Sequence, residues 1–330
     1  MSPVQLWENC FGLECLWLVG FDGGMNMRIP FSALTWCLLV VFVSGFVLPT
    51  LGASTAATPS LDQGQCWVYF GTYTGEKSKG IYVSRLDLAT GKLTEPELAG
   101  EATSPSFVAV HPSGSFLYAV NEVSRFAGKR SGAVSAFAID AKTGALSLLN
   151  QQPSGGDGPC HVNVDHSGKD VLVANYGGGS CSVFRLQSDG RLEASSAFIQ
   201  HRGSSANQQR QGGPHAHGIY LDPKNRFAFV PDLGLDRIQI YKFDPAQGSL
   251  TPNDPPFATV APGSGPRHLA FDPAGQHVYV ISEILCTVTA FNYDSDRGRF
   301  EQFQTISTLP EGVNVLPSYS TAEIAVHPSG

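Results

Sequence analysis

Hydrophobic positions in this chain fall into short runs, and from Cys66 onward the runs recur as a set. Each set is built around a tight turn whose first residue is His111, Asp165, Asp222, Asp272 or His327. Successive turns are 54, 57, 50 and 55 residues apart, and four of the five continue into proline, at Pro112, Pro223, Pro273 and Pro328. An apolar run precedes every turn, at residues 107–110, 162–164, 218–221, 269–271 and 324–326. A second apolar run follows it, at 116–120, 171–174, 227–230 and 278–281. The next run alternates apolar and polar residues, the mark of a half-buried strand, at 133–139, 182–186, 238–243 and 288–293. A glycine turn (Gly144-Ala145-Leu146, Gly190-Arg191-Leu192, Gly248-Ser249-Leu250, Gly298-Arg299-Phe300) then opens a fourth.

Four short antiparallel strands repeated at a period of about 50 residues are the sequence signature of a β-propeller. The fold class expected is therefore all-β, a propeller occupying residues 66–330. The first set lacks a first strand ahead of residues 67–70, and the last stops inside its turn, at Pro328-Ser329-Gly330. The chain accordingly reads as a C-terminally truncated ring, about five blades plus the start of a sixth. A seven-bladed ring would need on the order of 70–100 further residues at this module length.

The N-terminal segment breaks the pattern. Residues 31–48 are almost wholly apolar, follow Met27-Arg28 and lead to Gly52-Ala53-Ser54. A positive start, an apolar stretch and small residues form a secretory signal peptide, placed here at 27–53. An apolar run of that length also suits an uncleaved membrane anchor. Residues 1–26 carry Glu8, Glu14 and Asp22 and fit neither role, so they read as a mis-assigned leader with the start at Met25 or Met27. Residues 54–65 read as a linker. A working leader places the protein outside the cytoplasm, periplasmic or secreted. The alternative is cytoplasmic.

Composition adds exclusions. The 330 residues are 15% charged with a net charge of −7, and they include 36 Gly and 22 Pro. No polybasic run is present, so a nucleic-acid partner is not expected. Cys66, Cys160, Cys181 and Cys286 follow the leader without metal-site spacing. Cys160 and Cys181 are the pair most plausibly close, although four unpaired apolar thiols in strands explain the spacing as well. No nucleophile elbow, phosphate loop or dinucleotide fingerprint occurs. No cofactor and no metal are expected, since His215-x-His217 with Asp232 is a weak metal signal. A monomer is expected.

The repeat also says where chemistry should gather. First and second strands of a blade are antiparallel, so the start of one and the end of the other share one mouth of the channel. First-strand starts bring Ser106, Cys160-His161, His215-Ala216-His217, Arg267-His268 and Glu323. Second-strand ends bring Asn121-Glu122, Asn175-Tyr176, Asp232 and Ser282-Glu283. The connecting loops bring Arg202 and Arg210. The other mouth receives His111, His166 and His327 with Pro, Ser and Gly, which turn chemistry explains. Imidazoles suit proton transfer at neutral pH, and an arginine in a desolvated funnel suits an oxyanion or an anionic substrate. A polar rim that only solvates the channel is the structural alternative.

Several of these motifs resemble the lactonase, or cycloisomerase-2, family: residues 173–180 (VANYGGGS), Gly213-Pro214-His215-Ala216-His217, Pro231-Asp232-Leu233-Gly234 with Asp236, and Gly265-Pro266-Arg267-His268. The resemblance runs from Trp67 to the end and implies a seven-bladed propeller. The family includes propeller-type 6-phosphogluconolactonases and carboxy-cis,cis-muconate cyclases. By its motifs the resemblance implies His217 (with His215 a near alternative), Arg267 and Glu283 as catalytic residues, with a further arginine beyond Glu323. It leaves His161, His215, His268, Asp232, Asn175, Glu122, Arg202 and Arg210 as substrate-binding candidates. The expected activity is hydrolysis of a sugar lactone by a histidine-activated water. The alternatives are cycloisomerisation of a carboxymuconate-type substrate and a non-catalytic propeller that binds sugar or protein. The expected partner is a small lactone or carboxylate.

Overall fold

A computed structural model describes residues 64–330 and the backbone of 40–43. The rest of the expected leader, signal segment and linker lies outside the described residues. Five antiparallel sheets follow one another along the chain. The first contains β1 (Val40–Val43), β2 (Gln65–Phe70), β3 (Gly80–Asp87), β4 (Lys92–Leu93) and β5 (Glu97–Glu101). The second contains β6 (Val108–Val110), β7 (Phe116–Asn121), β8 (Ala133–Ile139) and β9 (Leu146–Pro153). The third has β10 (Pro159–Val164), β11 (Asp170–Asn175), β12 (Ser180–Leu186) and β13 (Leu192–Gln200). The fourth has β14 (Tyr220–Leu221), β15 (Phe227–Asp232), β16 (Arg237–Asp244) and β17 (Ser249–Thr259). The fifth has β18 (Pro266–Phe271), β19 (His277–Ser282), β20 (Thr287–Asp294) and β21 (Arg299–Ser307).

Each of the last four sheets pairs its strands in chain order, and neighbouring sheets pack face to face. This is the arrangement of consecutive propeller blades. Second strands sit between two neighbours. All six residues of β11 and all six of β15 are buried, which is why those stretches are apolar without alternation. Fourth strands lie outermost, and β13 and β21 are largely exposed. Apolar clusters cross from blade to blade. One joins Trp67, Tyr69 and Ile81 of the first blade to Val108, Leu117 and Phe137 of the second and Val171 of the third. Another joins Phe227 and Phe229 to Val278 and Phe291.

Hydrogen bonds stitch the same interfaces. Tyr69 donates to the Gly144 carbonyl at 2.9 Å and Tyr118 to the Gly190 carbonyl at 3.0 Å, each reaching the glycine turn of the next blade. Within blades, the turn acids cap the second strands. Asp165 Oδ1 accepts the amides of Lys169 and Asp170, Asp222 Oδ1 those of Arg226 and Phe227, and Asp272 Oδ1 those of Gln276 and His277. His111 and His327 stand at the same position and bond Ser113 and Ser329, as turn residues.

Three expectations need correcting. First, the first blade does have an innermost strand: β1 pairs with β2 from Val40↔Phe70 to Val43↔Trp67. An open edge of β2 presents unpaired amides and carbonyls, and a Val-Val-Phe-Val segment is a strong strand former. Second, the run at 324–326 forms no strand. Third, the fourth blade's inner strand is only Tyr220–Leu221, so Gly218 and Ile219 fall outside it. The four described cysteines are buried; Cys66, Cys160 and Cys181 lie in strands, Cys286 in a turn, and Cys160 and Cys181 form no disulfide with one another.

Gly190 tests the blade interface. Its φ is +83°, and a Cβ there would stand 2.4 Å from the Phe116 ring. Gly190→Ala should lower stability by about 2–4 kcal/mol, from left-handed strain and overpacking together, read as a shift in the urea midpoint. An unshifted midpoint would contradict this packing.

Candidate active site

Counting from the turn residue of each blade places the mouth residues in equivalent rows. Five positions before it stand Ser106, Cys160, His217, Arg267 and Ala322. Four before it stand Phe107, His161, Gly218, His268 and Glu323. Eleven after it stand Glu122, Tyr176, Leu233 and Glu283, and ten after it Asn121, Asn175, Asp232 and Ser282. In β10 and β18 the register shifts between Pro159 and His161 and between Pro266 and His268. The extra residue in each bulge is Cys160 or Arg267. A bulge re-aims a side chain without moving the rest of the strand.

The row four before the turn lines the inner wall. His161 packs on Phe107 with ring centroids 4.1 Å apart, on Tyr220 at 4.7 Å and on His268 at 5.3 Å. His268 meets Glu323, with Nδ1 to Oε2 at 2.9 Å. Gly218 carries no side chain in this row because Tyr220 fills the space; a Cβ would lie 2.5 Å from its ring. His217 stands edge-on to His268 at 5.2 Å, so three imidazoles adjoin.

Glu283 is the centre of charge. Its Oε2 accepts from Arg267 Nε at 3.2 Å and lies 3.8 Å from His217 Nε2, while Oε1 accepts from Arg210 Nη2 at 2.6 Å. The side chains of His217, Arg267 and Glu283 are each 12% exposed, enough for a ligand at the mouth to touch them. Arg267 Nη1 donates to the Ala322 carbonyl at 2.7 Å. Arg210 comes from the loop at 202–213, which Asp236 anchors. Asp236 accepts from Ser205, from Gln211 at 2.7 Å, and from the amides of Gly263 and Gly265 at 2.7 Å.

Burial sets the protonation of this group. His161, His217 and His268 are all held well below the usual imidazole range, first by desolvation. The Arg267 charge adds to the effect on each. They are neutral at pH 7 and can accept a proton. Desolvation pushes the Glu323 carboxyl up and the Cys160 thiol far up, so that thiol is no nucleophile. Glu283 and Tyr176 keep Arg210 firmly charged. Among the described residues, no group of three or more His, Cys, Asp or Glu is placed to hold a metal ion.

The structure thus brings together His217, Arg267, Glu283, His161, His268 and Arg210. His215 is also at the mouth, stacked on Tyr176 at 4.6 Å with Nδ1 3.0 Å from the Tyr176 carbonyl. Both His215 and His217 meet that tyrosine ring, so they share a side although the strand begins only at Tyr220. Glu122 is half-buried and accepts from Tyr73 at 2.8 Å and from Ser106.

Two binding candidates are corrected. Asn175 is fully buried inside its blade, its Nδ2 on Ser180 Oγ at 3.1 Å. Asp232 is fully buried and bonded to His201 at 2.6 Å. Both belong to the row ten after the turn, one residue before the mouth row, and adjacent strand residues point to opposite sides. Arg202 is exposed and forms no ion pair among the described residues. Sequence reasoning missed Tyr220, His201 and the Glu323–His268 pairing. The spacing from the turn already places Glu323 at the mouth, but not its bond to His268. No local signal marks His201.

Comparison with known proteins identifies the family. The sequence profile of the lactonase family of seven-bladed β-propellers matches residues 67–330. The chain belongs to that family. It is 36% identical over 243 residues to the 6-phosphogluconolactonase of Bacillus subtilis, covering 74% of this chain and 67% of that protein. It is 30% identical over 269 residues to the 6-phosphogluconolactonase of Formosa agariphila, covering 80% and 73%. Among solved structures, a putative 6-phosphogluconolactonase from Bacteroides fragilis superposes with a TM-score of 0.71 at 37% identity, over 77% of this chain and 70% of that one. The periplasmic gluconolactonase of Pseudomonas aeruginosa gives 0.69 at 32%, over 74% and 68%.

The depressed histidines make stability depend on pH. An unfolded histidine titrates near pH 6.5. Between that value and the lower folded ones, the unfolded chain binds more protons. Stability therefore rises with pH through this window and is lost as pH falls below about 6.5. Glu323, with its raised value, acts in the opposite sense, so one histidine is isolated by difference. His217→Gln should lose less stability than the parent between pH 7 and 5, by up to about 2 kcal/mol. Urea titrations at both pH values measure it, and equal losses would contradict a buried neutral His217.

Proposed function

We propose that this protein hydrolyses a sugar lactone of the 6-phosphogluconolactonase type at the mouth described above. The observation that carries the reading is a neutral, slightly exposed His217 beside the Glu283–Arg267–Arg210 cluster. Lactone hydrolysis needs a base for water, a cation for the developing oxyanion, and an acid for the leaving ring oxygen. His217 takes a proton from water as the water oxygen bonds to the ring carbonyl carbon. The carbonyl oxygen becomes an oxyanion facing Arg267, whose Nη2 has no hydrogen-bond partner among the described residues. Collapse breaks the ring carbon–oxygen bond, and the imidazolium of His217 returns its proton to the departing oxygen. The open-chain acid then ionises. Glu283 steadies both arginines and favours the transient imidazolium. Arg210, half-exposed on its loop, faces the side where a substrate phosphate or hydroxyl would lie.

The five blades are read as part of a seven-bladed ring, supported by the family's architecture. Export is supported by the apolar run at 31–48 and by the periplasmic setting of one structural relative. Cleavage after Ala53 would remove Val40–Val43 and leave the β2 edge to another strand.

Acid release from glucono- and 6-phosphogluconolactone, followed in a pH-stat, tests the chemistry. Above the spontaneous rate, His217→Ala should lower kcat by about 10²–10⁴. Arg267→Gln should lower kcat by about 10² or more, as for loss of an oxyanion donor. Unchanged hydrolysis in His217→Ala would remove the base from this mechanism.

A further inference from the structure

Asp232 sits out of reach of any ligand at the mouth, yet it is a carboxylate. The equivalent residues of the other blades are Asn121, Asn175 and Ser282. Among these four blades, only the fourth places a charge in this buried row, and only there does a buried imidazole meet it. His201 Nδ1 donates to Asp232 Oδ2 at 2.6 Å, with side chains 1% and 0% exposed. Tyr241 OH lies 3.0 Å from His201 Nε2 and completes the line from β16. A buried carboxylate without partners is strongly disfavoured, so this one depends on its imidazole.

The other oxygen of Asp232 faces the site. Oδ1 accepts the amide of His215 at 2.7 Å and that of Gly234 at 3.0 Å. The fourth blade's inner strand has lost its usual length, since β14 spans only Tyr220–Leu221. The segment that carries His217 is held instead by an isolated bridge between Ala216 and Asp232, which consists of two backbone bonds. His217 N donates to the Pro231 carbonyl and Leu233 N to the His215 carbonyl, both at 2.9 Å. The carboxylate therefore substitutes for a missing stretch of ladder directly before the catalytic candidate.

We propose that Tyr241, His201 and Asp232 form a positioning relay that fixes the His215–His217 segment and thereby aims His217 at its substrate. None of the three touches a ligand. The relay acts on turnover, because Arg267, Arg210 and Glu283 are held by other contacts and continue to bind. The kinetic part of this inference rests on the reading of His217 as the base.

The test compares Asp232→Asn, His201→Gln and Tyr241→Phe in the full-length protein, with Leu117→Ala in the second blade as a destabilised control. A misplacement of about 1 Å in a reacting group can lower the rate about 100-fold. On that scale kcat should fall at least about 10-fold in Asp232→Asn and His201→Gln, with KM held within about twofold. The side-chain NMR signals of His217, assigned by their loss in His217→Gln, should shift in both variants and not in the control. Tyr241→Phe removes one hydroxyl and should shift the same signals less. It carries the test if the other two fail to fold. Unmoved His217 signals in folded variants, or the same loss of kcat in Leu117→Ala, would overturn the relay. If His217→Gln keeps full activity while Asp232→Asn still moves those signals, the base assignment fails and the positioning stands.

Discussion

The second strand of each blade is packed between two neighbours, and that double burial governs what the rest of the molecule can do. In β11 and β15 every residue is buried. A slip of one residue would exchange the faces of the entire strand and break two interfaces at once. Capping by the turn acids and the cross-blade tyrosines reinforce the same register. A fixed register fixes the distance along the chain from each turn to the mouth. Functional side chains can then vary at a few positions while the scaffold repeats.

Three neutral imidazoles next to two arginines are an unusual charge arrangement, and one residue makes it tolerable. Glu283 takes a hydrogen bond from each arginine, so neither guanidinium is buried without a partner. The histidines are kept uncharged by burial and by Arg267. A base that is neutral and a cation that is not can thus coexist within a few ångströms. Glu323 extends the network by holding His268 from the far side.

Much of this was legible in the residues, because the repeat converts spacing into position. The strands, the turn acids and the polar mouth follow from counting, whereas the triplet His217, Arg267 and Glu283 is implied by the resemblance to the lactonase family. What counting alone missed was direction. Asn175 and Asp232 were grouped with Tyr176 and Glu283 although their neighbouring positions face opposite ways along a strand. His201 was invisible because its partner lies 31 residues away and neither motif hints at the other. The strand Val40–Val43 lies within the apolar run, and counting gives no sign of its pairing with β2, since a run of Val, Leu and Phe satisfies a strand edge as well as a lipid core.

The bulges show how a repeating scaffold escapes its own regularity. A strict ladder would alternate side chains between the two faces of the blade and leave few of them aimed at the channel. Inserting one residue at Cys160 and at Arg267 lets two neighbouring side chains of one strand serve the mouth. In the fourth blade the same end is achieved by shortening β14 and tying the loose segment to Asp232. The residue five before the turn is cysteine, histidine or arginine in three successive blades. The backbone device is shared or replaced, and the chemistry changes from blade to blade. The catalytic candidates therefore occupy the places where the ladder is interrupted, because an uninterrupted ladder would have pointed them elsewhere.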